Sequence, residues 1–241
     1  MTNLISGISG LLFRQKVASN VLASVPWVAQ WKFNNDGQDS IGSNHLTNNN
    51  SATFTTGKLG GATGATQLVA ASGQYWSVAD NAALSMGDVD FTVACWVYLD
   101  SSGGARAVIS RDDMGANREY SLYLDSANLF FHTFTSGIVS ASTFGSLPLG
   151  EWICVVTWRQ AGVGVSIQSN NGTIDSSANA STHVGKTVSQ CIGGAANGFQ
   201  FFDGRIDNVC IAKSAAGGGG VLTAEQRTAF YNAGVGTEVL G

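Results

Sequence analysis

Apolar and polar residues alternate in short runs along most of this chain, and Gly, Asn, Asp and Ser separate the runs, as in half-buried strands joined by turns. The runs are Tyr75–Val78, Phe91–Leu99, Arg106–Ser110, Tyr120–Leu124, Leu129–Phe134, Ile138–Ala141, Trp152–Arg159, Gly164–Ser169, Val188–Ile192 and Phe201–Ile211. An earlier run, Trp27–Phe33, follows Pro26 and ends in Asn34-Asn35-Asp36-Gly37, so it reads as a first strand leading into a turn. Asn171-Gly172, between Gly164–Ser169 and Thr173–Asp175, is a tight hairpin signal. Many short strands with little helix predict an all-β fold of two antiparallel sheets packed as a sandwich.

Two segments break the period. Before Pro26, residues Leu4, Ile8, Leu11, Leu12, Val17, Val21, Leu22 and Val25 recur at helical spacing, although Gly7 and Gly10 weaken the first half. A short amphipathic helix is expected near residues 11–24, its apolar face packed on the domain, on a copy of itself or on a partner. After the last strand, Thr223 and Gln226 have the spacing of a capping box, and Gly234 offers a left-handed stop for a short helix. Gly217–Gly220 reads as a flexible insertion, since no strand-to-helix phosphate loop or Lys accompanies it. Strict alternation in the last strand puts Ile206, Asn208 and Cys210 on one side and Asp207, Val209 and Ile211 on the other.

Only 12% of the residues are charged, and 31 Gly against 2 Pro make glycine the turn former. The net charge of −4 and scattered Lys and Arg argue against nucleic acid as a partner. Cys95, Cys154, Cys191 and Cys210 lie in apolar runs without C-x-x-C spacing, so buried thiols are expected rather than a zinc site. Were two to pair, Cys191 with Cys210 is the first choice. The N-terminal apolar stretch lacks a preceding positive region, unlike a signal peptide, and no run reaches the roughly 18 apolar residues of a membrane span.

Trp31, Asp39-Ser40-Ile41-Gly42, Gly57-Lys58-Leu59-Gly60, Phe91-Thr92 with Trp96, Gly150-Glu151-Trp152 and Phe202-Asp203-Gly204-Arg205-Ile206-Asp207 occur in an order that resembles the laminin G-like branch of the concanavalin A-like lectin and glucanase jelly rolls. The resemblance covers roughly residues 27–236. It implies a jelly roll whose concave face and loops serve many relatives in binding glycans or proteins. It divides the chain into an N-terminal docking segment, residues 1–26, and a jelly-roll domain, residues 27–241. It also implies a structural calcium site at Asp207, with help from Asp36 or Asp39 and turn carbonyls; alternatively Asp207 accepts main-chain hydrogen bonds and holds no metal.

Glycosidases on this fold set two carboxylates about the scissile bond. Here Glu119, Glu151, Glu225 and Glu238 share no strand, and Asp88 with Asp90 and Asp112 with Asp113 fall in turn-like sequence where solvated carboxylates are expected. His45, His132 and His183 stand apart, and no nucleophile elbow is present. The chain is therefore expected to be no enzyme. Sugar recognition combines an aromatic platform with amide and carboxylate side chains, and Trp76, His132, Phe134, Phe144 and the stretch from Asn197 to Phe202 are the candidates. The first expectation is a structural and adhesive component of a phage virion surface, a capsid decoration or fibre-tip protein. It would be a homo-oligomer, docked on other virion proteins through its N-terminal segment and possessing affinity for surface glycans. The alternative is a secreted or cell-surface carbohydrate-binding module, with a glycoside hydrolase behind both.

Overall fold

The computed structural model describes residues 2–238, apart from the side chains of residues 2–9 and 11, so the expected apolar positions Leu4, Ile8 and Leu11 lie outside the described side chains. Helix α1 (Thr2–Leu22) comes first. The strands follow as β1 (Trp27–Trp31), β2 (Thr47–Asn49), β3 (Thr53–Thr55), β4 (Ala65–Leu68), β5 (Tyr75–Val78), β6 (Asp90–Leu99), β7 (Ala105–Asp112) and β8 (Arg118–Asp125). The chain continues through β9 (Asn128–Thr133), β10 (Gly137–Ser140), β11 (Trp152–Gln160), β12 (Gly164–Ser169), β13 (Ile174–Ala178), β14 (Gln190–Ile192) and β15 (Gly204–Ser214), and ends with helix α2 (Ala224–Tyr231).

These strands form the expected antiparallel sandwich. The eight-stranded sheet runs β13-β12-β11-β6-β15-β4-β3, with β1 pairing the second half of β15. The seven-stranded sheet runs β10-β9-β8-β7-β14-β5-β2. Between them lies the main core: Val93, Cys95 and Val97 of β6, Val155 of β11 and Ile206, Val209 and Ile211 of β15 meet Ile109 of β7, Tyr120 and Leu122 of β8 and Phe131 of β9. Phe91 joins the layers by ring contacts to Tyr120 and Phe131 at 5.4 and 6.0 Å.

The last strand departs from strict alternation. Its pairing with β6 shifts between Asp207 and Cys210, where Asn208 takes a left-handed φ of 48°. This bulge places Val209 and Ile211 in the inter-sheet core with Ile206, while Cys210 and Ala212 turn to the outer face. Asp207, paired in register with Trp96, is thereby separated from Val209 and Ile211. One inserted residue reverses the facing that a period of two predicts.

The outer face of the eight-stranded sheet is roofed. Ala18, Leu22, Val25, Leu222, Ala229 and Phe230 pack on Ala94, Trp96, Cys154, Val156, Trp158, Cys210 and Ala212, and we call this the covered sheet. Tyr231 stacks on Trp96 at 6.0 Å, and the Arg227 guanidinium lies 4.6 Å over Trp158. The Thr223–Gln226 capping box forms as expected, but the left-handed stop falls on Asn232, with φ 47°. The glycine insertion is pinned: Gly217 N–H donates to Asp90 Oδ2 at 2.7 Å, and Thr92 Oγ1 donates to the Gly220 carbonyl at 2.8 Å. A Cβ at Gly220 would stand 2.2 Å from the Asp90 carbonyl, so close main-chain approach explains that glycine.

Helix α1 begins at Thr2, well before residue 11, because its helical register runs on from the docked turns around Ala18 and Leu22 through both early glycines. All four cysteines are free and buried. The pairing of Cys191 with Cys210 does not form: Cys191 belongs to β14 of the seven-stranded sheet, and Cys210 faces the roof of the other. Burial pushes the thiol pKa values of Cys95, Cys154, Cys191 and Cys210 upward, which keeps them unreactive.

Candidate functional site

Among the described residues no helix packs on the outer face of the seven-stranded sheet, and we call it the open sheet. In the β8–β9 hairpin, Tyr120, Leu122 and Leu124 turn inward, so Ser121 and Tyr123 turn outward. Register then pairs Ser121 with His132 and Tyr123 with Phe130. The Tyr123 and Phe130 rings stack at 5.3 Å with planes 16° apart, while His132 and Phe134 touch with centroids 3.9 Å apart. A bulge near the end of β7 brings Asp112 opposite Arg118. Arg118 Nε and Nη2 donate to the two Asp112 carboxylate oxygens at 2.8 and 2.9 Å, and the guanidinium lies 3.9 Å over the Phe134 ring.

Asp112, Arg118, Ser121, Tyr123, His132, Phe134 and Gln200 line a hollow of about 120 Å³ on this face. Gln200 arrives on the loop between β14 and β15, which is latched to β7 by Ala107 N–H to the Gln200 carbonyl at 2.7 Å and Ala196 N–H to the Asp112 carbonyl at 2.8 Å. Ser121 Oγ is buried and has no hydrogen-bond partner among the described residues. A buried hydroxyl in that condition costs about 1–3 kcal/mol until something bonds to it. Burial, reinforced by the nearby Arg118 charge and partly opposed by Asp112, holds the His132 pKa below the ordinary imidazole value, so the ring is neutral near pH 7. Burial raises the Tyr123 phenol. The hollow thus offers aromatic walls, a neutral imidazole, an amide, an unbonded hydroxyl and an ion pair whose charges offset each other.

Of the candidate binding residues, His132, Phe134 and Gln200 line the hollow, Asn197 is exposed on the loop that supplies Gln200, and Phe202 is buried in the inter-sheet core. Trp76 stands elsewhere, 4% exposed in the inter-sheet core between Phe33 and Phe54, its Nε1–H donating to Thr66 Oγ1 at 2.8 Å. Phe144 packs partly buried against the same core. Asp112, expected as a solvated turn carboxylate, is 1% exposed and bound by Arg118. Sequence reasoning missed Asp112, Arg118, Ser121 and Tyr123. The outward positions of β8 were readable from alternation, but not their register against β9.

The three carboxylates considered for calcium do not converge. Asp39 accepts from the main-chain N–H groups of Gln30, Ile41 and Asn44 at 3.0–3.1 Å. Burial raises its pKa, and these hydrogen bonds more than offset that, holding it below the usual carboxylate range. Asp36 is exposed and caps Gln38 N–H. Asp207 accepts from Leu59 N–H at 2.8 Å, and burial pushes its pKa up to about 8. No cluster of three or more His, Cys, Asp or Glu suited to a metal occurs among the described residues. A calcium ion wants six to eight oxygens, and these residues do not fit one.

The sequence matches the family model of the concanavalin A-like lectin/glucanases superfamily over residues 70–217, more than half of the chain. Among solved structures, domain 4 of AbnA, a GH43 extracellular arabinanase from Geobacillus stearothermophilus, in complex with arabinotriose, is similar with a TM-score of 0.63 at 19% identity, over 88% of this chain and 99% of that one. The binding domain of Paraclostridial Mosquitocidal Protein 1 is similar with a TM-score of 0.64 at 15% identity, over 82% of this chain and 51% of that one. The binding domain of botulinum neurotoxin DC, in complex with SialylT, has a TM-score of 0.63 at 12% identity, over 89% and 52%. The chain therefore spans about half the length of the two toxin binding domains. No curated protein sequence matches it.

Proposed function

The chain belongs to the concanavalin A-like lectin/glucanase superfamily, and from that premise we propose that it is a non-catalytic glycan-binding protein whose binding face is the outer surface of the open sheet. The observation that carries this is the hollow itself, where polar groups with spare bonding capacity stand among aromatic rings. A sugar ring has apolar C–H faces and a rim of hydroxyls; Tyr123, Phe130 and Phe134 suit the former, and Ser121, His132, Gln200 and Arg118 the latter. The hollow is small beside the roughly 300–1,000 Å³ of an enclosing ligand pocket, which suits one ring of a longer chain lying across an open face. Because Asp112 offsets Arg118, a neutral sugar fits better than an anionic one. Asp112 is the one carboxylate lining the hollow; its two oxygens are engaged by Arg118, and hydrolysis by paired acids would need a second. The arabinanase domain in complex with arabinotriose lends weight as a related fold.

The test is glycan-array screening followed by calorimetry. Tyr123→Ala and Arg118→Ala are expected to weaken binding about tenfold or more, roughly 1.4 kcal/mol or beyond. A protein that binds no glycan, or binds equally well after both substitutions, would end this assignment.

A second reading places the module on a virion surface, with residues 1–26 as its docking segment. It is favoured by position: α1 lies against the covered sheet, and the hollow is on the opposite sheet, so one side can attach while the other faces out. Mass spectrometry of purified particles, with and without the first 26 residues, decides it; absence of the intact chain from particles would remove it.

A further inference from the structure

One side of α1 is left uncovered by the described residues. Ala18 and Leu22 point into the roof, yet Leu12, Phe13 and Val17 are 65%, 70% and 45% exposed. Phe13 and Val17 stand beside a groove of about 360 Å³ between α1 and α2, completed by Ala18, Val21 and Ala229. No charged residue precedes Arg14 in the chain, so the arm that runs on from this groove is uncharged. An isolated helix of fewer than about 12–15 residues is marginal in water, and apolar exposed turns worsen its position. Two opposite charges flank the groove, Arg14 on α1 and Glu225 on α2, and neither forms a salt bridge among the described residues.

We infer that this groove takes α1 of a second copy of the chain, in a two-fold arrangement that seats Phe13 and Val17 of each copy in the other's groove and sets Arg14 of each beside Glu225 of the other. A two-fold interface requires one patch to carry both halves of every contact, and this patch does: apolar projections, an apolar groove and one charge of each sign. A strongly acidic or basic partner would satisfy one of the two charges and oppose the other. A lipid surface would accept the apolar side chains but leave Glu225 facing head groups. The dimer would present two open sheets away from the helical seam, and on the glycan-binding assignment above it would hold two sites for one polymer.

Sedimentation equilibrium of the full chain from about 1 to about 100 µM is the test, with a dimer expected in that range. Combined Phe13→Glu and Val17→Glu should yield a folded monomer whose melting temperature does not depend on protein concentration, whereas that of the wild type should rise with concentration, because both side chains are exposed within one copy. Arg14→Glu alone and Glu225→Arg alone should each weaken the dimer about twofold to fivefold, and the two together should restore it. A wild-type monomer throughout the range, a dimer that survives the Phe13/Val17 substitutions, or charge reversals that do not rescue each other would overturn the inference. Co-flotation of a monomer with phosphatidylserine-containing vesicles would also overturn it, assigning the face to lipid. Loss of the dimer with glycan affinity per site intact leaves the binding assignment standing, so the two proposals fail separately.

Discussion

The outer faces of the two sheets are built from similar residue types and put to opposite use. On the covered sheet Trp96, Trp158 and Phe230 are sealed with Ala94, Cys154 and Ala212 beneath two helices. On the open sheet Tyr123, Phe130, His132 and Phe134 remain partly exposed beside polar groups. Aromatic content does not distinguish a layer of the core from a recognition surface. What distinguishes them is whether a further layer of helices covers the rings.

The largest way to break this contrast is to damage the roof. Phe230→Ala removes a fully buried ring from the covered sheet and should cost about 3–5 kcal/mol in urea unfolding, with glycan binding retained at temperatures where the protein stays folded.

A pH series gives the next largest effect. Asp207 keeps its proton up to about pH 8 when folded and releases it near 3.8 when unfolded. The folded state therefore holds the extra proton, and stability should fall as pH rises from about 4 to 8, by roughly 2–3 kcal/mol once the opposing contribution of His183 is set against it. His183 acts in the opposite sense: burial, with Arg159 nearby, depresses its pKa from 6.5 to about 4, so stability falls as pH drops through that window. The two slopes oppose below pH 6.5, which leaves a net decline towards pH 8; Asp207→Asn should abolish that decline in melting-temperature profiles. A decline that persists in Asp207→Asn would refute the assignment.

Two hydroxyl deletions sharpen the comparison. Thr92 Oγ1 on β6 donates to the Gly220 carbonyl at 2.8 Å and accepts from Leu222 N–H at 3.3 Å, so Thr92→Ala should cost about 1–3 kcal/mol of stability. Ser121 Oγ has no partner among the described residues, so Ser121→Ala should leave stability unchanged or raise it by up to about 1–3 kcal/mol while weakening glycan binding about threefold to tenfold. Equal stability losses at both positions would erase the distinction between the faces.

Most strands were legible because their inward and outward residues differ in polarity. Strands β2, β3 and β4 were not: Thr47–Asn49 is wholly polar, and Thr53–Thr55 and Ala65–Leu68 are too short to establish a period. The site was legible in part. His132 and Phe134 announce themselves within an aromatic run, but Tyr123 and Arg118 gain meaning from hairpin register. That register is set by a turn at Ser126 and Ala127, whose positive φ values of 51° and 70° are adopted without the glycine or asparagine that would signal them. Trp76 shows the converse, since a strand tryptophan reads the same whether its ring faces solvent or the interior.

The irregularity at Asn208 bears on how far this strand can drift in evolution. Removing Asn208 would restore an even pleat and leave Val209 and Ile211 inward and Cys210 and Ala212 outward, whereas flattening the bulge with every residue kept would turn all of them over. Relatives that keep the helical roof can therefore carry this strand either with the bulge or one residue shorter, but not at full length with an even pleat.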